Sequence, residues 1–257
     1  MTTISIAIST YAERAANLKL LEYYPNINYV VVHQQPQNVA KESISYLKNR
    51  NDVLYIPTDT KGISVSRNIA IKNAKGNYIL IMDDDVDFFL DSIEKLMACM
   101  DEDDVDIGTY YHKYTNGKTT KNKEYSFSHN MLNIANPSSI DICLKRESIV
   151  ASGVLFDENF GLGTSYPSGE EMIFLSDCIK SGLKLKRYPI EVCIHPPVTS
   201  GSDFYSTKEK ILAKKAMFKR VYGQLGGVMF ILFILKKYSA AYKAGYGMFF
   251  LKHSLFK

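Results

Sequence analysis

Four aspartates, Asp83, Asp84, Asp85 and Asp87, follow directly after the apolar run at residues 78–82. Carboxylates a few ångströms apart repel one another and raise one another's pKa unless a positive charge lies between them. Mg²⁺ and Mn²⁺ prefer carboxylate oxygen and usually share their coordination with substrate phosphates. One aspartate is enough to cap the following helix, so the excess favours a metal-bound phosphate ligand over a simple cap.

A second acidic run, at residues 101–104, serves as a comparison. It follows a helical pattern and has no buried strand before it. The sequence therefore predicts a solvated turn there, without a metal. Position after an apolar strand, more than acidity, makes Asp83–Asp85 informative.

A candidate anion site lies just upstream of the aspartates. Gly62, Ser64 and Ser66 surround the predicted start of a helix, and Arg67 follows within its first turns. A helix N-terminus presents free N–H groups and a favourable dipole to an anion, and arginine adds a fork of permanent donors. The alternative is an ordinary capped helix with a surface arginine. The neighbouring aspartates favour the anion site.

Short apolar runs alternate with helix-like stretches over the first hundred residues, which predicts an α/β fold with a mostly parallel sheet. The predicted strands are 4–9, 29–33, 53–56 and 78–82, and the predicted helices are 14–23, 39–49 and 64–73. Ligands bind at the carboxyl ends of strands in such sheets. Thr10, Gln34 and Asp83 lie at three such ends, so we expect them to share one crevice.

The pattern is looser after residue 105. We expect strands at 106–113, 125–127, 141–145, 183–188 and 191–195, and helices at 92–100, 170–181, 207–222 and 236–252. Residues 160–169 are rich in Gly, Ser, Pro and Tyr, which predicts a mobile loop. Two helix-opening acids, Glu170 and Glu171, follow this loop.

Composition indicates a globular chain of 257 residues that is 46% hydrophobic. Its four cysteines are scattered without a C-x-x-C pair, so structural zinc and a disulfide framework are not expected. Residues 1–9 lack a leader pattern and predict a first strand. These features predict a cytoplasmic protein.

The C-terminal 50 residues are strongly basic. Residues 208–257 hold eleven Lys and Arg against one acid, a net charge of +10, whereas the remaining residues hold 20 basic and 26 acidic residues, a net charge of −6. We therefore divide the chain into a catalytic domain (1–206) and a helical tail (207–257). The apolar run 225–235 rises only about 16 Å, too short for the ~30 Å membrane core. An anchor on the inner face of the cell membrane, against anionic lipid, and a helix packed on the domain both remain open.

The chain resembles the GT-A-fold glycosyltransferases of family 2 over roughly residues 3–90. The resemblance rests on four segments in order: Ser9-Thr10-Tyr11, Gly62-Ile63-Ser64-Val65-Ser66-Arg67-Asn68, Gly76-Asn77-Tyr78 and Asp83-Asp84-Asp85. Gly169-Glu170-Glu171 is similar to the acidic acceptor-site motif of that family, usually Glu-Asp, which extends the likeness to about residue 195. The resemblance implies an inverting transferase that uses a nucleotide-diphosphate sugar. It also implies a mixed, mostly parallel sheet flanked by helices.

The resemblance further implies roles for individual residues. The implied nucleotide-sugar pocket contains Thr10, Tyr11, Arg14, Gln34, Gly62, Ser66, Arg67, Asp83 and Asp84. Asp85 would hold Mn²⁺ or Mg²⁺ against the diphosphate, and His195 would complete the metal site or touch the diphosphate. His195 as a satisfied buried residue is the alternative. Ser200 and Lys208 would reach the diphosphate from the following segment.

Glu171 takes the position of the base that accepts the proton of the acceptor hydroxyl, with Glu170 as the other candidate. Adjacent helical residues point about 100° apart, so only one of the two should face the sugar. Helix-opening acids stabilised only by the dipole are the structural alternative. The family often has an acidic residue after its second strand, where this chain has His33-Gln34-Gln35, so the nucleobase stays open, with UDP expected first.

Other functions were weighed against this one. A nucleotidyltransferase of similar fold usually has a glycine-rich loop after the first strand, and residues 9–14 contain no glycine. A non-catalytic sugar- or nucleotide-binding module does not need carboxylates at both the metal and the base positions. No aromatic-interleaved basic motif supports nucleic-acid binding. The resemblance thus favours a transferase with a saccharide or lipid-linked acceptor in bacterial surface polysaccharide or glycolipid synthesis.

Overall fold

The computed structural model describes residues 2–197 and 203–255. Nine strands form one sheet: β1 (Ile4–Tyr11), β2 (Ile27–Gln34), β3 (Val53–Thr58), β4 (Tyr78–Asp83), β5 (Asp87–Phe88), β6 (Ile107–Tyr114), β7 (Phe127–Ser128), β8 (Ile142–Lys145) and β9 (Leu185–His195). The helices that flank or extend it are α1 (Ser45–Lys48), α2 (Ile63–Asn73), α3 (Leu90–Glu102), α4 (Arg146–Ser152), α5 (Glu170–Lys180), α6 (Lys208–Tyr222), α7 (Gly226–Lys243) and α8 (Gly247–Leu255).

The strand order is β3-β2-β1-β4-β8-β6-β9-β5, with β7 also paired to β9. The first four strands in this order are mutually parallel, and β8 runs antiparallel between β4 and β6. Ser9 of β1 lies opposite Asp83 of β4, and Tyr11 lies opposite Gln34 of β2. The predicted α/β fold and the predicted meeting of three strand ends are both confirmed.

Both faces of the central strands are buried, which explains their near-continuous apolar sequences. Alternate residues of one strand enter different cores. Ile6 and Ile8 of β1 pack in the core that includes α3, whereas Ala7 packs in the core that includes α2 and α5. Polar side chains collect at the carboxyl ends of these strands, where Thr10 and Gln34 are buried and Tyr11 and Asp85 reach solvent.

Three of the predicted helices differ from the structure. The predicted helix 236–252 is split between α7 and α8 by a turn at residues 244–246, and the other two are wrong. Residues 14–23 form only a 3₁₀ turn, Ala12–Asn17, and residues 39–49 form a second 3₁₀ turn followed by the four-residue helix α1. Pro25 disfavours helical geometry at the residue before it, and a helix this short is marginal in water by itself. Both segments still bury apolar residues in the core, Ala15 and Leu18 in the first and Ile44 and Leu47 in the second. The two predicted strands 183–188 and 191–195 are instead one strand, β9. The register of its pairing with β6 shifts along the strand.

The three C-terminal helices fold back on one another and on the catalytic domain. The Thr207 side chain caps α6 by accepting a bond from the Lys210 N–H, and Gly223 at φ +57° ends the helix. The Phe218 ring then packs against the ring of Phe233, with centroids 5.3 Å apart. The tail joins the apolar core that contains α5. The division at residue 206 stays a prediction.

By length and composition alone, one helical run of the described residues could cross a membrane: Lys208–Lys243, with a mean hydropathy of 1.4 in its most apolar window. Only 28% of that window is buried. The run consists of α6 and α7, which lie side by side because the chain reverses at Gly223. A single continuous span is therefore not the arrangement seen.

Candidate active site

The aspartate cluster lies at the carboxyl end of β4, and its three members have different surroundings. The Thr10 hydroxyl donates to Asp84 Oδ2 at 2.6 Å, and the Arg14 guanidinium donates to both oxygens of Asp84. Arg14 also donates to Asp85 Oδ2 at 3.1 Å. The hydrogen bond with Asp84 is the largest cause that raises the pKa of Arg14. Asp84 therefore braces the end of β1 and the turn after it.

Asp85 is the more open carboxylate, with 39% of its side chain exposed. His195 Nε2, at the end of β9, lies 3.4 Å from Asp85 Oδ1. This contact lowers the pKa of Asp85 and raises the pKa of His195. The structure thus brings together the two residues that the sequence assigned to the metal, although 110 residues separate them.

The donor set of Asp85 and His195 fits Mn²⁺ or Mg²⁺ only in part. The described residues contain no group of three or more His, Cys, Asp or Glu side chains placed to hold a metal ion. Mg²⁺ sites often use one or two carboxylates and complete the shell with water and substrate phosphate. His195 Nε2 faces Asp85 and its Nδ1 is buried, so Nε2 is the nitrogen that could bind a cation beside Asp85. These residues fit a cation that a diphosphate helps to bind.

Arg67 of α2 joins the two acidic regions of the site. It is almost fully buried and donates to Glu170 Oε1 at 3.2 Å, to Asp83 Oδ1 at 3.3 Å and to the Ser139 hydroxyl at 2.7 Å. Its guanidinium also lies 5.6 Å from the Phe156 ring centroid. The sequence predicted contact between Arg67 and the nucleotide. Its described hydrogen bonds connect the end of β4 to the start of α5, whereas its Nε has no partner in the described structure, and contact with a nucleotide stays a prediction.

Glu170 and Glu171 open α5 and differ in environment, as adjacent helical positions should. Glu170 is buried and accepts from Arg67, and its Oε2 has no partner in the described structure. Glu171 is half-buried. Burial, and then the neighbouring charge of Glu170, raise the pKa of Glu171 to about 8, against opposing contributions from Arg67 and Lys214. A carboxylate of this kind can accept a proton near neutral pH.

The segment before α5 is tied down, so the prediction of a mobile loop at 160–169 is wrong. Ser64 donates its hydroxyl to the Phe160 carbonyl at 2.6 Å, and the Ile63 N–H donates to the Leu162 carbonyl at 2.9 Å. Gly161, at φ +104°, lies so close to α2 that a Cβ would be 2.5 Å from Ile63 Cγ2. The first turn of α2 and this loop therefore form one packed unit.

Gln34, Gly62 and Ser66, which are predicted to contact the nucleotide, lie within or behind the packed unit formed by the first turn of α2 and the loop at 160–169. Gln34 donates to the Gly62 carbonyl at 3.1 Å and to the Thr60 hydroxyl at 3.0 Å, which holds the bend before α2. Gly62 itself adopts φ +100°. The Ser66 hydroxyl is fully buried without a partner in the described structure. A direct contact of these residues with a nucleotide stays a prediction, as does that of Tyr11, which is 47% exposed at the end of β1.

A second buried polar cluster was missed by sequence reasoning. His112 Nδ1 lies 2.8 Å from Asp141 Oδ1, Arg187 lies 3.8 Å from the other oxygen of Asp141, and the rings of His112 and His195 lie 6.1 Å apart. The signal in the sequence was the spacing of Ser138 and Asp141, which form a capping box. This cluster supports the strand ends from the side of β6 and β9.

The remaining predictions have simple outcomes. The acidic run 101–104 is exposed, as predicted for a solvated turn. Lys208 is exposed at the start of α6, and Ser200 lies outside the described residues.

A surface groove of about 550 Å³ lies at the opposite end of the sheet, beside Asn77, Tyr78 and Lys145. We place the site at the carboxyl ends because the interacting carboxylates and bases are there.

An open α/β sheet, an aspartate cluster after its fourth strand and paired glutamates opening a later helix define the class: a glycosyltransferase with the GT-A fold. The family model of glycosyl transferase family 2 matches residues 5–152, more than half of the chain. The chain belongs to glycosyl transferase family 2.

Curated relatives agree with this family. An uncharacterized glycosyltransferase of Rickettsia conorii is 28% identical over 167 residues, which is 62% of this chain and 27% of the relative. Glycosyltransferase GlyA of Streptococcus pneumoniae serotype 4 is 28% identical over 109 residues, which is 40% of this chain and 15% of the relative. The matched region thus spans about a quarter or less of the length of these relatives.

Solved structures agree on the fold. TarS residues 1–349 of S. aureus in complex with UDP-GlcNAc superimposes with a TM-score of 0.62 at 14% identity, covering 86% of this chain and 67% of that one. The same protein in complex with UDP gives a TM-score of 0.60 at 17% identity, covering 86% and 66%. At this identity the likeness establishes the GT-A fold alone.

Proposed function

We propose that this chain transfers a sugar, with inversion, from a nucleotide-diphosphate sugar to an acceptor hydroxyl. The observation that carries the proposal is the bridge made by Arg67 between Asp83, at the donor side, and Glu170, next to the half-buried Glu171. One side can hold a leaving diphosphate, and the other can accept a proton. The fold likeness to TarS, solved with UDP and UDP-GlcNAc, supports UDP as the first nucleotide to test.

On the donor side, Tyr11 and Arg14 border the crevice beside Asp85. Arg14, which now neutralises Asp84 and Asp85, is 59% exposed and can turn toward a diphosphate. Asp85 and His195 would hold Mn²⁺ or Mg²⁺, which stabilises negative charge on a departing diphosphate oxygen. The residues then keep the diphosphate at the strand ends, within the same cleft as α5.

On the acceptor side, Glu171 removes the proton from the acceptor hydroxyl. The hydroxyl oxygen bonds to the anomeric carbon from the face opposite the nucleotide, while the bond from that carbon to the diphosphate oxygen breaks. The proton stays on Glu171, and the nucleoside diphosphate leaves with the bonding electron pair. Glu170 is held by Arg67 and positions the start of α5.

A thermal-shift experiment tests the donor assignment. UDP should raise the melting temperature in the presence of Mn²⁺ or Mg²⁺, and the increase should disappear in Asp85→Asn. Asp104→Asn, an exposed carboxylate on the far side of the sheet, is the matched control and should respond like the wild type. Absence of metal-dependent stabilisation by any nucleoside diphosphate would sink the donor assignment.

A panel of nucleotide sugars then identifies the donor. Slow hydrolysis in the absence of acceptor, measured as released nucleoside diphosphate, should be detectable for one base and one sugar. Glu171→Gln should abolish transfer yet leave nucleotide binding intact. Transfer by Glu171→Gln at the wild-type rate would show that another group is the base.

We also propose that the tail rests on an anionic membrane, where a lipid-linked acceptor would lie. Val228, Ile231, Leu232 and Leu235 recur at helical spacing on one face of α7, and all are more than half exposed. Exposed apolar residues of α8 and the lysines of the +10 tail accompany them. An apolar face combined with positive charge suits the headgroup region of anionic bilayers.

Vesicle sedimentation tests this surface. Phosphatidylglycerol vesicles should retain the protein more than phosphatidylcholine vesicles, and Ile231→Ser with Leu235→Ser should release it. Leu132→Ser, which changes an equally exposed leucine away from the tail, is the control. Equal sedimentation with and without vesicles would contradict the proposal. Concentration-dependent dimers lost in the double variant would assign the face to a second copy instead.

A further inference from the structure

His112 of β6 and His195 of β9 lie on the same face of the sheet, next to the aspartate cluster. The two strands are parallel, and their register places His112 opposite Cys193 and Tyr114 opposite His195. Residues two apart on a strand share a face, so the two histidines are diagonal neighbours. Their ring centroids lie 6.1 Å apart, with the ring planes at 66°. His112 therefore borders the imidazole that faces Asp85.

Asp141 determines which nitrogen of His112 carries hydrogen. The carboxylate is buried, and its Oδ2 accepts from the N–H and the hydroxyl of Ser138 at 3.1 and 3.0 Å. Arg187, 3.8 Å from the same oxygen, supplies the positive charge that a buried carboxylate needs. Oδ1 remains for His112, whose Nδ1 lies 2.8 Å away. A carboxylate only accepts, so Nδ1 is the nitrogen that donates.

The other nitrogen of His112 is a buried acceptor. Only 4% of the residue is exposed, and Nε2 has no hydrogen-bond partner in the described structure. In a neutral imidazole that donates through Nδ1, Nε2 carries a lone pair. His129, by comparison, is also buried and uses both nitrogens, with Thr109 at 2.6 Å and with Asn133 at 3.0 Å. A donor beside His112 would remove the cost of burying its Nε2 unpaired.

His195 presents the matching donor when its Nε2 binds a cation. Nε2 lies 3.4 Å from Asp85 Oδ1, and a cation held there would take its lone pair. The hydrogen of the neutral ring is then on Nδ1, a buried atom that also lacks a partner in the described structure. Histidines that bind metals usually donate this second N–H to a carboxylate, a carbonyl or a water. A direct bond of ~2.9 Å would bring two imidazole centroids to about 5 Å, so a separation of 6.1 Å suits one bridging water.

We propose that His112, oriented by Asp141, is a positioning residue for His195. Its Nε2 accepts the Nδ1–H of His195 through one bound water, so that the Nε2 lone pair of His195 points to the cation beside Asp85. The proposal rests on the cation site proposed above and extends it by two residues, one from β6 and one from the turn before β8. It gives the buried pair of His112 and Asp141 a function besides stability, because the orientation of a ring sets the direction of its lone pair.

The affinity for Mn²⁺ in the presence of UDP tests this role, since the electron paramagnetic resonance signal of free Mn²⁺ reports binding without turnover. His112→Asn keeps an amide near the former Nδ1, and therefore the bond to Asp141, but has no atom at the Nε2 position. It should weaken Mn²⁺ binding by about tenfold or more. His112→Gln places its amide near the former Nε2 and should recover part of the affinity. His129→Asn changes a buried histidine at the other end of β9, beside Leu185, and should leave the affinity unchanged.

A double-mutant cycle separates an effect through His195 from an independent one. In His195→Ala, the substitution His112→Asn should cause no further loss of Mn²⁺ affinity. Additive losses would overturn the proposal. Equal affinity in His112→Asn and wild type would also overturn it and would leave the nearby backbone of Pro196 as the acceptor. A wild type that binds no Mn²⁺ with any nucleoside diphosphate would instead contradict the proposed cation site itself.

Nitrogen NMR spectra of the wild type with isotope-labelled histidine test the same assignment without a substitution, and they apply even if His112→Asn does not fold. With Mg²⁺ and a nucleoside diphosphate bound, His112 and His195 should both show the neutral form that carries hydrogen on Nδ1. Hydrogen on Nε2 of His112, or on both of its nitrogens, would overturn the proposal, because Nε2 could then no longer accept.

Discussion

Arg67 donates to Glu170 at 3.2 Å although 103 residues separate the two in the sequence. The pair joins α2, which precedes β4, to α5, which precedes β9. Both side chains are nearly fully buried, so the contact is hardly screened by solvent. This guanidinium therefore helps to fix the position of α2 relative to α5, together with the contacts of Ser64 and Ile63 to the segment before α5.

Replacing Arg67 should damage both stability and activity. Arg67→Lys cannot reach Asp83, Glu170 and Ser139 together, and buried charges without partners cost about 3–5 kcal/mol of unfolding free energy. Urea unfolding measures this loss. Arg220→Lys changes an arginine of similar pairing that is 41% exposed, and it should cost only about 0–1 kcal/mol. Equal losses in the two variants would show that the bridge is not special.

Transfer should increase with pH because Glu171 must be ionised to accept a proton. Its raised pKa of about 8 places the acidic limb there, with about a tenfold lower rate for each pH unit below the limb. Initial rates measured from pH 5 to 9 at saturating substrates would reveal the limb. A profile that is flat over this range would remove Glu171 as the titrating base.

The raised pKa of Glu171 also predicts that the free energy of unfolding decreases as pH rises, whereas the transfer rate increases. The native state holds a proton on Glu171 at pH values where the unfolded chain has lost it, so this contribution is complete below the usual glutamate pKa. It is lost as pH rises through about 8. The difference in unfolding free energy between wild type and Glu171→Gln should therefore fall over that interval. A difference that grows with pH would reverse the assignment.

The tied loop before α5 can be tested with two glycines that share positive φ. Gly161→Ala should lower stability and transfer, because its Cβ would lie 2.5 Å from Ile63 and 3.2 Å from the Glu170 carboxyl carbon. Gly117→Ala has φ +82° and no atom within 4 Å of the added Cβ. It carries only the backbone strain, about 1–2 kcal/mol. Thermal unfolding and initial rates should separate the two variants, and similar values would contradict the packing argument.

Asp141 should contribute strongly to the free energy of unfolding. It accepts from His112 and Ser138 and faces Arg187, and all of its side chain is buried. Asp141→Asn leaves the Arg187 charge without its partner, so we expect a loss of about 3–5 kcal/mol. Asp104→Asn, at an exposed pair with Lys184, should change the unfolding free energy by about 1 kcal/mol or less. Chemical denaturation of both variants is the measurement.

The sequence alone predicted an element correctly where the local pattern is compatible with only one structure. The apolar run before Asp83 had to be a buried strand, and its parallel neighbours had to end at the same edge. It failed at residues 14–23 and 39–49, which form only short turns and a four-residue helix although Ala15, Leu18, Ile44 and Leu47 are buried. It also treated the loop at 160–169 as mobile, because the contacts that hold Gly161 come from α2, about 100 residues away.

The sequence by itself determined the family, the parallel core and the identity of the acidic residues, because these depend on short motifs and on local alternation. Only the tertiary structure decided which partners each carboxylate has. Asp83, Asp84 and Asp85 are adjacent and chemically identical, yet one faces Arg67, one is held by Thr10 and Arg14, and one remains open beside His195. Glu170 and Glu171 diverge for the same reason: Glu170 is buried and accepts from Arg67 of α2, whereas burial and the charge of Glu170 raise the pKa of Glu171.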